Sequence, residues 1–180
     1  MRFLFRLVAL AAVVALGFWG YRAVRARLSP RPAPPAVDTT LTGMRAATLY
    51  FADAGGDSLV GEVRELPEAE SLHEHVAQLV DALARGPQHR GVALLPAGTA
   101  VLHAYLDDQG RLTLDLSRAF QQGFRGGTQA EDLVVGSLVR TVGANLPEVK
   151  HVLIVCGGTP IGSLGGHLPL DRPLDPHESD

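Results

Sequence analysis

The sequence predicts an α/β domain of the α+β kind. It should have one mixed or antiparallel sheet with two helices packed on one face, in the order strand-strand-helix-hairpin-helix-strand. Three observations predict it. From Ala100 to Phe120 the chain reads AVLHAYLDDQGRLTLDLSRAF, alternating apolar and polar residues on both sides of an Asp107-Asp108-Gln109-Gly110 turn signal; that is the period-two signature of a half-buried hairpin. Two stretches, one after Ser71 and one after Thr128, repeat apolar residues at helical spacing. Short apolar runs at Ala46–Ala52 and Val149–Val155 flank them as further strands.

Ahead of these elements lies a different kind of chain. Phe3 to Tyr21 is apolar apart from Arg6 and approaches the ~20 residues that span a bilayer as a helix. No small-x-small cleavage site follows it, and Trp19 and Tyr21 stand where interfacial aromatics belong. Residues 1–28 are therefore expected to be a transmembrane anchor or an uncleaved signal. The only cysteine is Cys156, so no lipid-modified cysteine follows the apolar run. Arg22, Arg25, Arg27 and Arg31 follow the span; taken alone, they would put the rest of the chain in the cytoplasm. Residues 29–45, with SPRPAPPA near their start, form a proline-rich, semi-rigid linker.

The globular part is expected over residues 46–174, with 175–180 a polar tail. Six of the 16 basic residues fall in the first 31 positions, which leaves ten against 19 acidic residues, a net charge of −9 beyond them. An acidic domain of this kind repels nucleic acid and anionic lipid, so no nucleic-acid partner is expected.

Within the domain, Ala46–Ala52 opens as a strand and Leu59–Leu66 follows. The second run mixes Glu62, Arg64 and Glu65 among apolar residues on both faces, the pattern of an edge strand whose charges discourage edge-to-edge pairing. Ser71-Leu72-His73-Glu74 reads as a capping box opening a helix that carries Leu72, Val76, Leu79, Val80 and Leu83 and stops at Gly86-Pro87. Leu112, Leu114 and Leu116 share one face of the hairpin's second arm, while Arg111, Thr113 and Asp115 take the other. The first arm is less regular, with Leu102, Ala104 and Leu106 opposing Val101, His103 and Tyr105. A glycine-bearing loop, Gln121 to Gly127, leads to Thr128-Gln129-Ala130-Glu131, a second capping box, and to a helix ending before Pro147. A last buried strand and a glycine-rich turn at Gly157-Gly158 close the core.

In their order and spacing these marks resemble a single GerMN domain, the module named for sporulation and germination proteins of endospore-forming bacteria. They are Leu49-Tyr50-Phe51-Ala52-Asp53, Pro96-Ala97-Gly98-Thr99, Leu114-Asp115-Leu116-Ser117 with Phe120, Glu131, Val149-Lys150-His151-Val152, and Gly165-Gly166-His167-Leu168 to Pro173-Leu174. The resemblance implies a non-catalytic, extracytoplasmic module of cell-envelope or spore-envelope assembly. It would be held at the cytoplasmic membrane by a single N-terminal span, and its partners would be other envelope proteins or peptidoglycan. Among the polar residues of the shared motifs, Asp115, Ser117 and Glu131 are the candidate binding residues.

Chemical alternatives are weaker. His73 and His75 are two apart on a helix and point about 200° apart, so they cannot chelate one ion. His89, His103, His151 and His167 are scattered, and no HExxH or CxxC spacing occurs. No metal or cofactor is expected. Cys156 with His167 could form a thiol-imidazole pair, but a small thiol ending an apolar strand is more often core. Asp115, Ser117 and His103 outline a triad without the GxSxG elbow that would support it, and Asp115 is expected to tether the glycines of the following loop, Gly123, Gly126 and Gly127. The second functional reading is an envelope hydrolase or carbohydrate-binding protein using the groove beside Asp115, His103 and Tyr105.

Overall fold

The computed structural model describes residues 43–177. The expected membrane span, the linker before Gly43 and the last three residues of the tail lie outside the described residues. Among the described residues, no helix is long and apolar enough to cross a membrane.

The chain forms β1 (Met44–Ala52), β2 (Leu59–Pro67), α1 (Leu72–Ala84), β3 (Val101–Leu106), β4 (Arg111–Leu116), a one-turn α2 (Ala119–Gly123), α3 (Thr128–Asn145), β5 (His151–Cys156) and the two-residue β6 (Thr159–Pro160). The α+β class and the order of the main elements are those expected. The single sheet is not. β1 and β2 pair only with each other, and a separate mixed sheet runs β3-β4-β5-β6 with β4 and β5 parallel.

The reason is on α3. Ser137, Thr141 and Asn145 are four residues apart, so they line one face of the helix. Ser137 Oγ donates to the carbonyl of Tyr50 at 2.6 Å, and Thr141 Oγ1 accepts from the amide of Tyr50 at 3.0 Å. Asn145 then takes the amide of Thr48 at 2.9 Å and donates to its carbonyl at 2.7 Å. The helix thus bonds the free edge of β1 at Thr48 and Tyr50 as a neighbouring strand would, and the only backbone pairing on that edge among the described residues is a single bridge from Val92 to Ala52. Backbone groups left unpaired at such a depth would be costly.

The second expectation to change concerns β2. Glu62 and Arg64 face inward. Arg64 is buried over the ring of Phe51, 5.2 Å from its centroid, and donates to the carbonyls of Ala82 and Gly86 at 3.3 and 2.6 Å. Those carbonyls end α1, so the guanidinium acts as its C-terminal cap. Glu62 bonds Arg64 at 2.5 Å and accepts the amides of Gln88 and His89. β2 is an edge strand as expected, but these charges lock a helix end rather than guard the edge.

The two capping boxes fare differently. Ser71 Oγ does accept the amide of Glu74 at 3.2 Å, while the carboxylate of Glu74 takes the amide of Glu70, not that of Ser71. α3 has no box: its N-cap is Gly127, without a side-chain bond, and Thr128 is already helical. In β3 a bulge between Val101 and His103 inserts Leu102 as an extra residue. This explains the irregular first arm: Val101, Ala104 and Leu106 are half-buried while Leu102, His103 and Tyr105 are exposed.

One apolar cluster unites both sheets and both long helices. It contains Leu49 and Phe51, Leu79 and Leu83, the three hairpin leucines, Leu138 and Val142, and Val152 and Ile154. Leu112, Leu114 and Leu116 are fully buried, so the assignment of the hairpin's faces is correct. At the hairpin turn, Gly110 (φ +84°) lies so close to Glu148 that a Cβ would sit 2.9 Å from its carbonyl oxygen.

Candidate functional site

With its leucines in the core, β4 sends Arg111, Thr113 and Asp115 to the opposite face. Register then builds rows across the sheet. His103 lies opposite Asp115, with Val155 on the other side, and Tyr105 lies opposite Thr113, with Leu153 beyond. Tyr105 is 68% exposed, and His103, Arg111 and His151 are also exposed. This open sheet face, centred on Tyr105 and Thr113, is the candidate site. It presents an amphipathic aromatic ring flanked by imidazole, hydroxyl and guanidinium groups, a set that suits recognition better than bond-making.

The polar residues singled out in the sequence are occupied in tying the fold together. Asp115 is buried beside Val155, and its Oδ1 accepts the amide of Gly158 at 3.0 Å. The expected partners were amides of the 121–127 loop; the actual one is the two-residue turn that joins β5 to β6. Gly157 and Gly158 have φ of +59° and +74°, as a tight hairpin turn with two left-handed residues requires. Ser117 knots the two ends of the hairpin, donating to the carbonyl of Gly98 at 2.8 Å and accepting the amide of Ala100 at 3.2 Å.

Glu131 is fully buried in the first turn of α3. Its carboxylate accepts the amides of Leu164 at 2.7 Å and His167 at 3.0 Å. Burial pushes its pKa up, but the amides of Gly165, His167, Leu164 and Leu168 outweigh burial and hold the carboxyl below its ordinary value. The loop closes so tightly here that a Cβ on Gly165 would come within 3.0 Å of Oε2 of Glu131. Asp115, Ser117 and Glu131 thus hold three different segments.

Cys156 is 4% exposed, and burial, with the nearby Asp115 carboxylate, pushes its thiol up to about 11. It is protonated at neutral pH and unsuited to act as a nucleophile. His167 gives its backbone amide to Glu131. The imidazoles of His73 and His103 come within 6.5 Å, a proximity between α1 and β3 that spacing could not show. Among the described residues, no three metal-ligating side chains converge. A shallow depression of about 280 Å³ between the β1–β2 turn and α3 is lined by Val92, Leu94, Gln129 and Leu133 together with small residues, none of them titratable.

Sequence reasoning missed the Ser137, Thr141 and Asn145 row and the Arg64–Glu62 lock. The four-residue spacing of the first was readable as a polar stripe on an otherwise buried helix. The inward position of the second was readable from its place on the same face as Leu66.

Comparison with known proteins agrees with this architecture. Residues 48–162 match the family model named Germane, described as sporulation and spore germination. The tandem GerMN domains of the sporulation protein GerM from Bacillus subtilis superpose with a TM-score of 0.61 at 22% identity over 74% of this chain. The chain spans 46% of that tandem structure. The first GerMN domain alone gives 0.62 at 22% identity, covering 74% of this chain and 99% of the domain. A Clostridium perfringens protein assigned as a lipoprotein gives 0.51 at 21% identity, covering 78% of this chain and 93% of that one. No curated protein matches. The family match takes in more than half of the sequence, from within β1 to just beyond β6, and the chain belongs to the Germane family of sporulation and spore germination domains.

Proposed function

We propose that the protein is a non-catalytic interaction module of cell-envelope or spore-envelope assembly, tethered to the outer side of the cytoplasmic membrane by its N-terminal segment and binding envelope proteins or peptidoglycan. One observation carries the reading. The buried carboxylates Asp115 and Glu131 are committed to backbone amides, while the open face of the four-stranded sheet holds exposed Tyr105, His103 and Arg111. A general acid or base needs a titratable group aimed into a cleft; Asp115 and Glu131 are aimed at the protein's own loops. The apolar span at Phe3–Tyr21 and the proline-rich linker supply the tether.

Placement is tested with protease added to intact protoplasts, which should digest the domain; digestion only after lysis would put it in the cytoplasm. Partner class is tested by crosslinking in intact cells, with sedimentation of the purified protein on peptidoglycan in parallel. Cleavage of muropeptides by the isolated protein would overturn the non-catalytic reading. A second reading, carbohydrate binding on the sheet face, draws on the exposed ring of Tyr105, since a tyrosine can cover a sugar's apolar face while its neighbours hydrogen-bond the hydroxyls. Tyr105→Ala would then abolish sedimentation on peptidoglycan while leaving protein crosslinks intact.

A further inference from the structure

Arg45 is the second residue of β1, and its Nη1 donates to Nδ1 of His75 on α1 at 2.9 Å. That bond fixes the state of the ring. Nδ1 must be bare to accept, so His75 is neutral with its proton on Nε2. His75 is 8% exposed. Its Nε2, Nη2 of Arg45 and Oε1 of Gln78, one helical turn further along α1, are buried without a hydrogen-bond partner among the described residues. A single hydrogen bond therefore carries the contact, in which Nε2 of His75 and Nη2 of Arg45 are buried at a cost.

We propose that Arg45 and His75 form a pH-gated latch: neutral His75 holds the start of β1 against α1, and protonation of His75 lets the start of β1 go while the rest of the core stays closed. A protonated imidazole turns an N–H toward the guanidinium N–H, so the one bond is lost and two cations face each other out of water.

The charged groups around the ring set the direction. Arg45, from β1, opposes protonation. Glu148, in the connection between α3 and β5, favours it. On α1 itself, Glu74 is taken up by the amide of Glu70. Burial first and then Arg45 hold the His75 pKa below its ordinary 6.5, with Glu148 acting the other way. The unfolded chain therefore binds the proton more readily than the folded one. The contact's contribution is whole above pH 6.5 and declines as the pH falls through the lowered folded value.

Position gives the latch its consequence. Residues 1–42 join the domain at Gly43, immediately before β1. On the tethered reading proposed above, residues released from the start of β1 become extra tether, up to ~3.4 Å for each one, and the domain then reaches further from its point of attachment. The latch does not depend on which side of a membrane the domain occupies.

Amide hydrogen exchange on the full chain in detergent, corrected for intrinsic rates, tests this. Between pH 7.5 and pH 5.5, protection at Arg45, Ala47 and Leu66, whose amides lie in the β1–β2 ladder, should fall by at least about threefold relative to Leu112–Leu116. His75→Gln, which keeps an acceptor for Arg45 and cannot ionise, should leave that ratio within about twofold over the same range. Should His75→Gln fail to fold, Arg45→Gln carries the test: His75 should titrate higher than in the wild type, and the fall should shrink. A wild-type ratio that does not move with pH overturns the latch. So does a His75→Gln protein that keeps the wild-type fall, or a parallel loss in β4, which would mean that the whole domain loosens together.

Discussion

The two sheets feed one core, yet their open boundaries are closed by different chemistry. β4 has a strand on each side, β3 and β5, and its leucines alternate into the core without a break. β1 has a strand on one side only, and its other edge is bonded by hydroxyl and amide side chains of α3. The four-stranded sheet is held by apolar area and by backbone ladders on both sides of β4. The two-stranded sheet depends on a few directional bonds from one helix face. Two-stranded hairpins are marginal alone, so the helix is a structural member of that sheet. An alternating pattern therefore reports burial well and reports which strands are neighbours poorly.

The sharpest way to break the comparison is in the four-stranded sheet. Leu114→Ala should destabilise the domain by ~2–5 kcal/mol in urea denaturation, the range for truncating a fully buried leucine. A loss under about 0.5 kcal/mol, normal for surface sites, would mean that β4 is not the centre of the core.

The charged lock beneath the two-stranded sheet comes next. Burial would raise the pKa of Glu62, but Arg64 and the amides of Gln88 and His89 bring it from 4.5 to about 2. A depressed carboxylate stabilises above its unfolded pKa, so this contribution should be present at pH 5 and lost as the pH falls from 4.5 toward 2. Its size is on the order of 3 kcal/mol at ~1.4 kcal/mol for each pKa step. Glu62→Gln should flatten that part of the stability–pH curve, and an unchanged slope would remove Glu62 as its source.

Thr141→Val sharpens the contrast between the sheets. It keeps the shape of the side chain and removes the acceptor for the amide of Tyr50. It should cost about 1–3 kcal/mol, and the loss of exchange protection should concentrate at Thr48–Phe51 and spare Leu112–Leu116. Equal loss in both sheets would mean that they do not differ in how they are held. The smallest effect is expected at Asp115→Asn. The amide oxygen can still accept from Gly158, so the loss should stay near 1 kcal/mol, and any envelope phenotype should follow the amount of folded protein. Full folding with a lost activity on muropeptides would make Asp115 catalytic instead.

What could be read in the sequence follows the same divide. The hairpin, its turn at Asp107–Gly110, α1 with its Ser71 cap and the last strand come from period and from local hydrogen bonding, which short windows contain. The irregular arm was visible at Leu102, but a bulge is fixed by the partner strand's register and cannot be placed from one strand. Glu131 looks like the fourth residue of a capping box; only the return of residues 164–168, more than 30 positions later, makes it an acceptor for a loop. Asp115 was legible as a tether, but its partner at Gly158 lies 43 residues away, and a nearer glycine loop looked as good. The open sheet face was legible only in part. Tyr105 and His103 could be named beside Asp115, but their exposure depends on the bulge.

The carboxylate of Glu131 also bears on where this domain can be cut. The family match stops at residue 162, which invites a boundary there. The chain beyond it supplies both amides bonded to Glu131, the fully buried Leu170, and Leu174, which exchanges backbone bonds with Val152 on β5. A protein shortened to residue 162 would leave the buried Glu131 carboxylate without those amides and the edge of β5 uncovered at Val152. The stable unit extends to at least Leu174, and the irregular last stretch is as much a wall of the domain as any strand.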